Sequence, residues 1–226
     1  MIRLHHLENS RSQRIAWLLE ELHVDYEVAF YRRNSSTMLA PDELKRIHPL
    51  GKSPLITDED AGGRVVAESG AIIEYLLERF DTRNCLSPPP GSDAHQDYRF
   101  WLHHAEASGM PPLVMSLIFS RLGKAPVPAL LRPLGRRFAA GIRQRYLGPE
   151  ISRLRQFWED SLSDRCWFAG NAFSAADIQM SFPLMALAGR AGLEGYPRLE
   201  SFLQRATARE GYQRTIEKVG DLKLMS

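Results

Sequence analysis

A proline at the head of an apolar strand, followed by an explicit helix start, constrains this chain more than any other feature. Pro54 opens the run Pro54-Leu55-Ile56. Proline has no N–H to give to a sheet ladder, so it belongs where the strand meets something other than another strand. Ser53 before it is pushed to an extended conformation, which leaves its N–H and C=O open to the antiparallel backbone of an added peptide-like ligand. Such docking calls for a cis Ser53-Pro54 bond. Only roughly 5–6% of X–Pro bonds in folded proteins are cis, so the residues alone favour an ordinary trans proline. Further on, Glu68-Ser69-Gly70 opens a run in which Ile72, Ile73, Leu76, Leu77 and Phe80 follow a helical period. A helix start of this kind offers unpaired N–H groups to a carboxylate, with the Ser69 hydroxyl beside them. Glu68 could receive an ammonium group; equally, it could complement the helix dipole while Ser69 caps a turn.

The rest of the first third alternates strand and helix. Ile2 to Leu7 reads as a strand, and Ile15, Leu18, Leu19 and Leu22 form one face of a helix ending near His23. Tyr26 to Tyr31 is a second strand, parallel to the first by the logic of a βαβ unit. Pro54 to Thr57 and Arg64 to Ala67 pair across Asp58-Glu59-Asp60-Ala61-Gly62-Gly63, which has hairpin-turn chemistry. The run Ser87-Pro88-Pro89-Pro90-Gly91-Ser92 then breaks the pattern, and everything after it carries helical periods. A long helix from Ala94 to Leu122, interrupted or kinked near Pro111-Pro112, is expected first, followed by helices over Pro128 to Tyr146 and Glu150 to Leu162. Helices over Ser174 to Ala191, Arg198 to Arg209 and Tyr212 to Lys218 complete the set. Ser174-Ala175-Ala176-Asp177 is a capping box, with Phe173 placed to staple Ile178.

Composition narrows the function classes. With 44% hydrophobic and 25% charged residues and a formal net charge of +2, the 226-residue chain is an ordinary globule without a nucleic-acid footprint. One stretch departs from this balance: between 132 and 155 seven arginines face only Glu150, which makes a basic face. Cys85 and Cys166 lack metal or redox spacing, and adjacent His103 and His104 cannot share a helix face, so no metal is expected. No run reaches transmembrane length and no signal peptide is seen, so a cytoplasmic location with no membrane partner is expected.

The Ser-Pro strand head, the hairpin and the Glu-Ser helix start together resemble the second half of the thioredoxin-like domain of glutathione transferases. The run His48-Pro49-Leu50-Gly51-Lys52-Ser53-Pro54-Leu55 resembles that of bacterial and fungal members that use serine rather than tyrosine or cysteine. Met1 to Tyr31 and Asn171 to Ile178 extend the likeness to nearly the whole chain. The resemblance implies an α/β plus all-α fold: a thioredoxin-like domain with a mixed four-stranded sheet over 1–81, a linker over 82–93, and a helical bundle over 94–226 contributing an electrophile pocket. It implies a homodimer and glutathione as co-substrate. The Ser53 backbone beside Pro54 would pair with the cysteinyl part, Lys52 would meet the glycyl carboxylate, and Glu68 and Ser69 would hold the γ-glutamyl end. The loop Leu7-Glu8-Asn9-Ser10-Arg11-Ser12-Gln13-Arg14 resembles the serine-type catalytic loop of theta- and zeta-like members. That likeness puts Ser10 on the glutathione sulfur, with Asn9 as its rival, although Ser10-x-x-Gln13 also fits a capping box. The electrophile pocket is expected along the first long helix, at Tyr98, Trp101 and Met115. The activity implied is conjugation of the glutathione thiolate to small hydrophobic electrophiles, with peroxidase or disulfide-reductase side activity. A non-catalytic binding or regulatory protein of the same fold is the alternative.

Overall fold

A computed structural model describes residues 1–222. Strand β1 (Ile2–Leu7), helix α1 (Ser12–Glu21) and strand β2 (Tyr26–Tyr31) form the opening βαβ unit. Helix α2 (Glu43–Ile47) follows, then β3 (Leu55–Asp58), β4 (Arg64–Ala67) and α3 (Ser69–Phe80). The sheet order is β2-β1-β3-β4, with β1 parallel to β2 and β3 antiparallel to both β1 and β4. This is the mixed thioredoxin-like sheet. The five-residue α2 has no counterpart in the periodicity, being too short to carry a period.

The helical part contains α4 (Asp93–His104), α5 (Met110–Ser120), α6 (Arg132–Ile142), α7 (Gly148–Ser161), α8 (Ala175–Ala191), α9 (Pro197–Thr207) and α10 (Glu210–Val219). Two π-helical turns, Ala105–Gly109 and Arg143–Leu147, join α4 to α5 and α6 to α7. The expected interruption near 111–112 is the first of these turns. Both prolines lie in the first turn of α5, where a missing N–H is tolerated, and the irregularity sits one turn earlier.

Helix α1 is buried on every side. Ile15, Leu18 and Leu19 are fully buried in the core, and Trp17 packs on Phe173 and Tyr212 of the helical part. Arg209 grips Glu21 with two hydrogen bonds of 2.8 and 2.7 Å, and Arg214 reaches Glu20 at 3.0 Å, so α10 is strapped across the end of α1. The half that carries the sheet and the helical half thus share one core. Among the described residues no helix is long and apolar enough to cross a membrane.

The capping box at the start of α8 forms as its spacing dictates. Asp177 accepts from the Ser174 N–H and hydroxyl, both at 2.9 Å, and from the Phe168 N–H at 2.8 Å. Burial nevertheless pushes its carboxyl up to about 6. A raised acid favours the protonated native state, so this group's contribution to stability falls as pH rises from about 4 through about 6. Asp177→Ala strands three donors in the core and should cost roughly 2–5 kcal/mol in urea unfolding at neutral pH. An unchanged midpoint would remove the cap from the folding account.

Candidate active site

Two clefts meet at the tip of α1. The first, of about 740 Å³, lies between the head of β3, the start of α3 and the inner face of α4 with its π turn. Lys52, Ser53, Pro54, Glu68 and Ser69 all line it, together with Arg11, His48, His103 and Glu106. The Ser53–Pro54 bond is cis. The Ser53 N–H and C=O have no backbone partner among the described residues, which leaves a short strand edge open to the cleft. Glu68 holds φ at +71°, a value that favours glycine, so its backbone is strained at the point where it caps α3. Its carboxylate is exposed and makes no bond within the described protein.

Behind Ser69 lies a buried arginine. Arg14 is 2% exposed; it donates to the Ser69 hydroxyl at 3.2 Å, the Gln179 carbonyl at 3.0 Å and Glu106 at 2.5 Å. Because the Ser69 oxygen is accepting from Arg14, the Ser69 proton stays available to a ligand carboxylate. Arg11 joins the same Glu106 oxygen at 2.8 Å. Burial lowers the Arg14 guanidinium to about 10, which keeps it charged at neutral pH. Burial alone would push the Glu106 carboxyl up, but the two arginines outweigh it and hold it below the usual range. With Glu106 neutralised in this way, the cleft has a cationic end at Lys52 and an anionic end at Glu68. That polarity complements a zwitterionic peptide with carboxylates at both ends and one ammonium.

The β1–α1 loop sorts its polar residues by depth. Ser10 is 6% exposed and lines neither cleft. Its hydroxyl contacts Ser12 Oγ at 2.8 Å and Ser53 Oγ at 3.3 Å and accepts the Ser12 N–H at 3.2 Å. Ser12 continues the chain to His6 Nδ1 at 3.0 Å, an imidazole that burial lowers to about 4. One O–H and two lone pairs are all a serine has, so three contacts fill Ser10 completely. The Ser10-x-x-Gln13 capping box does not form: Arg11 occupies the N-cap position without a side-chain cap, and the Gln13 amide goes to the Gly220 carbonyl at 3.2 Å. Asn9 instead lines the second cleft, at φ +49°, with its carbonyl held by Arg33 at 3.1 Å.

That second cleft, of about 520 Å³, is the apolar one, walled by Met110, Leu113, Val114, Leu117 and Ile118 of α5 and Phe182 of α8. Arg11 lines both clefts. The three positions expected here from helical spacing do not line it. Tyr98 and Trp101 are core residues, Trp101 packed on Phe168 with ring centroids 4.6 Å apart, and Met115 borders neither cleft. The π turn at 105–109 bears on Met115, because its extra residue rotates α5 relative to α4 and a period of 3.6 carried across it selects the wrong face, whereas Tyr98 and Trp101 precede the turn and lie on the buried face of α4. His104 is also structural, accepting from the Trp158 indole at 2.9 Å.

Comparison with known proteins agrees with this fold. Residues 1–78 match the family model described as glutathione S-transferase, N-terminal domain, and residues 128–210 match the C-terminal domain of the same family. Glutathione S-transferase 1 of Saccharomyces cerevisiae is 36% identical over 224 residues, spanning 96% of this chain and 95% of that protein. The chain belongs to the glutathione S-transferase family of enzymes. Among solved structures, a glutathione S-transferase from Actinobacillus pleuropneumoniae superposes with a TM-score of 0.83 at 34% identity, covering 99% of this chain and 95% of the other. A glutathione transferase from Phanerochaete chrysosporium, crystallised with oxidized glutathione, shares the fold at a TM-score of 0.76 and 20% identity, covering 98% and 97%.

Sequence reasoning overlooked Arg11, Arg14 and Glu106 in this glutathione S-transferase. A signal existed: two arginines three apart, one at the N-cap and one in the first turn of a helix whose first turn has no acid, oppose the helix dipole. Such cations need an anion from elsewhere in the fold, and Glu106 supplies it.

Proposed function

We propose that this enzyme docks glutathione in the first cleft, its backbone antiparallel to Ser53, and transfers the thiolate to small apolar electrophiles held in the second. The observation that carries this reading is the open strand edge at Ser53, flanked by Lys52 on one side and by Glu68 and Ser69 on the other, and opening at Arg11 onto an apolar cleft. Lys52 takes the glycyl carboxylate, Glu68 the γ-glutamyl ammonium, and Ser69 with the α3 N-terminus the γ-glutamyl carboxylate.

Only the thiolate is a good nucleophile, and a free thiol has a pKa near 8.5. Lowering it by about two units requires roughly 2.7 kcal/mol. A hydrogen bond to the charged sulfur supplies about 1.5–3 kcal/mol and the α1 N-terminus about 0.3–1, so one donor suffices without a general base. Asn9 is that donor in this reading. Ser10, with its hydrogen-bonding capacity filled, braces the loop against Ser53. Holding sulfur and electrophile together then replaces a bimolecular encounter by a positioned one. Clearance of reactive electrophiles, with peroxide or disulfide reduction as side reactions, is the physiological role that follows. Exposed Phe100 and Phe157, edge to face at 6.2 Å, support a homodimer, which light scattering on the purified protein would test.

Retention on immobilised glutathione, followed by mass-spectrometric detection of the conjugate with 1-chloro-2,4-dinitrobenzene, tests the whole reading. Retention without turnover would favour a binding protein. Glu68→Gln should raise the KM for glutathione about tenfold, the loss of one charge-assisted bond, with kcat within about twofold. A change confined to kcat would place Glu68 in the chemistry instead.

A further inference from the structure

Helix α6 turns an apolar side outward. Gly135 packs so closely on the Leu122 carbonyl that a Cβ there would collide with it, and Ala139 is buried, which together mark the inner face of the helix. The other side carries Leu130, Leu131, Leu134 and Phe138, each exposed by more than half and Leu130 by 90%. Leu130, Leu134 and Phe138 recur at every fourth residue, so they form one stripe along α6 and the 3₁₀ turn Ala129–Leu131 that leads into it. On an ordinary surface helix the outward side is polar.

The charge around this stripe has a single sign. From 107 to 149 the chain holds seven Lys and Arg residues and no Asp or Glu. The side chains of Lys124, Arg136, Arg137 and Arg145 are exposed and form no salt bridge or hydrogen bond among the described residues. Arg137 adjoins Phe138 and lies one helical turn from Leu134, at the edge of the stripe. An exposed helix with leucine and phenylalanine on one side and unneutralised arginines beside them has the composition of an interfacial helix.

We propose that the α6 face docks peripherally on a bilayer that bears anionic lipid headgroups. The leucines and Phe138 enter the boundary between headgroups and acyl chains, while the arginines meet the headgroup phosphates. The charge selects this occupant. A second copy of the chain would cover the apolar stripe, but a twofold contact sets the same arginines against one another. A nucleic acid would answer the arginines and leave the leucines against phosphate. An anionic bilayer satisfies both features, and it requires no spanning helix. The stripe begins four residues after Pro126, which lines the apolar cleft, so one short loop joins the docking face to that cleft. The surface stands whether or not conjugation is the activity.

Co-sedimentation of the purified protein with phosphatidylcholine vesicles containing about one third phosphatidylglycerol, and with phosphatidylcholine alone, tests this. Binding to the anionic vesicles should be at least about tenfold tighter than to the neutral ones, and should weaken about tenfold or more between about 0.05 and 0.5 M salt. Leu134→Asp with Phe138→Asp removes the apolar part, and Arg136→Gln with Arg137→Gln removes part of the charge. Each pair should weaken binding to anionic vesicles about tenfold or more. All four positions are exposed, so both pairs should melt like the wild type. No sedimentation with anionic vesicles at low salt, equal binding to neutral ones, or wild-type binding by both variant pairs would each overturn the proposal. So would a wild type that ignores vesicles but forms a dimer that Leu134→Asp with Phe138→Asp dissociates in light scattering, because the face would then join two copies of the chain.

Discussion

Asn9→Ala should lower kcat/KM for conjugation of 1-chloro-2,4-dinitrobenzene about 100-fold near pH 6.5, the rate equivalent of roughly 2.7 kcal/mol. The pH–rate profile carries the decisive signature. If the Asn9 amide holds the thiolate, removing it moves the apparent pKa of the rising limb upward by about two units, toward the value near 8.5 of a free thiol. At pH above that limb the variant recovers most of its rate, and the KM for glutathione stays within about twofold, because the proposed docking assigns the peptide to Ser53, Glu68 and Ser69, which line the first cleft. Ser10→Ala opens a gap in a saturated hydroxyl chain rather than removing a donor from the sulfur, so it should cost no more than about tenfold, without a comparable pKa shift. The reverse ranking, with the large pKa shift in Ser10→Ala, would give the sulfur to Ser10.

Glu106→Ala should destabilise the protein by roughly 2–4 kcal/mol, because Arg14 would remain buried with its charge uncompensated. For a chain of this length that corresponds to a fall in Tm of about 5–15 °C. The carboxyl of Glu106 is held below its ordinary value, so its contribution is fully present above the unfolded carboxylate range and is lost as pH falls through the folded pKa. Wild type and variant should therefore converge in acid. Glutathione affinity falls too, since Arg14 orients the Ser69 hydroxyl. Adding Arg14→Met to Glu106→Ala should restore much of the melting temperature by removing the orphaned charge, without restoring affinity. If both single and double variants melt like the wild type, the Arg11–Glu106–Arg14 cluster is a surface ion pair and not the joint between the two halves.

The parts of the site that act through the backbone were legible from local sequence, except for the cis Ser53–Pro54 bond, where the residues alone favour trans. Pro54 denies a ladder partner, Ser53 is extended because a proline follows it, and Glu68-Ser69 begins a helix; each consequence is settled within two or three residues. The capping box at Ser174 and Asp177 belongs to the same class. The parts that depend on distant packing were not legible. Ser10 and Asn9 are neighbours with interchangeable chemistry on paper, and only the approach of Ser53 and Ser12 decides that one is enclosed and the other faces the apolar cleft.

By itself, the sequence determined the opening βαβ unit, the hairpin after it and the helical second half, because hydrophobic period, turn residues and caps act over short range; the cis Ser53–Pro54 bond, against which the residues alone argue, was decided by the fold. The tertiary structure alone decided which face of α5 walls the apolar cleft, since one π turn upstream resets the helical phase. It alone decided that Arg14 is buried, because a charge enters a core only where folding brings an acid from 92 residues away to meet it.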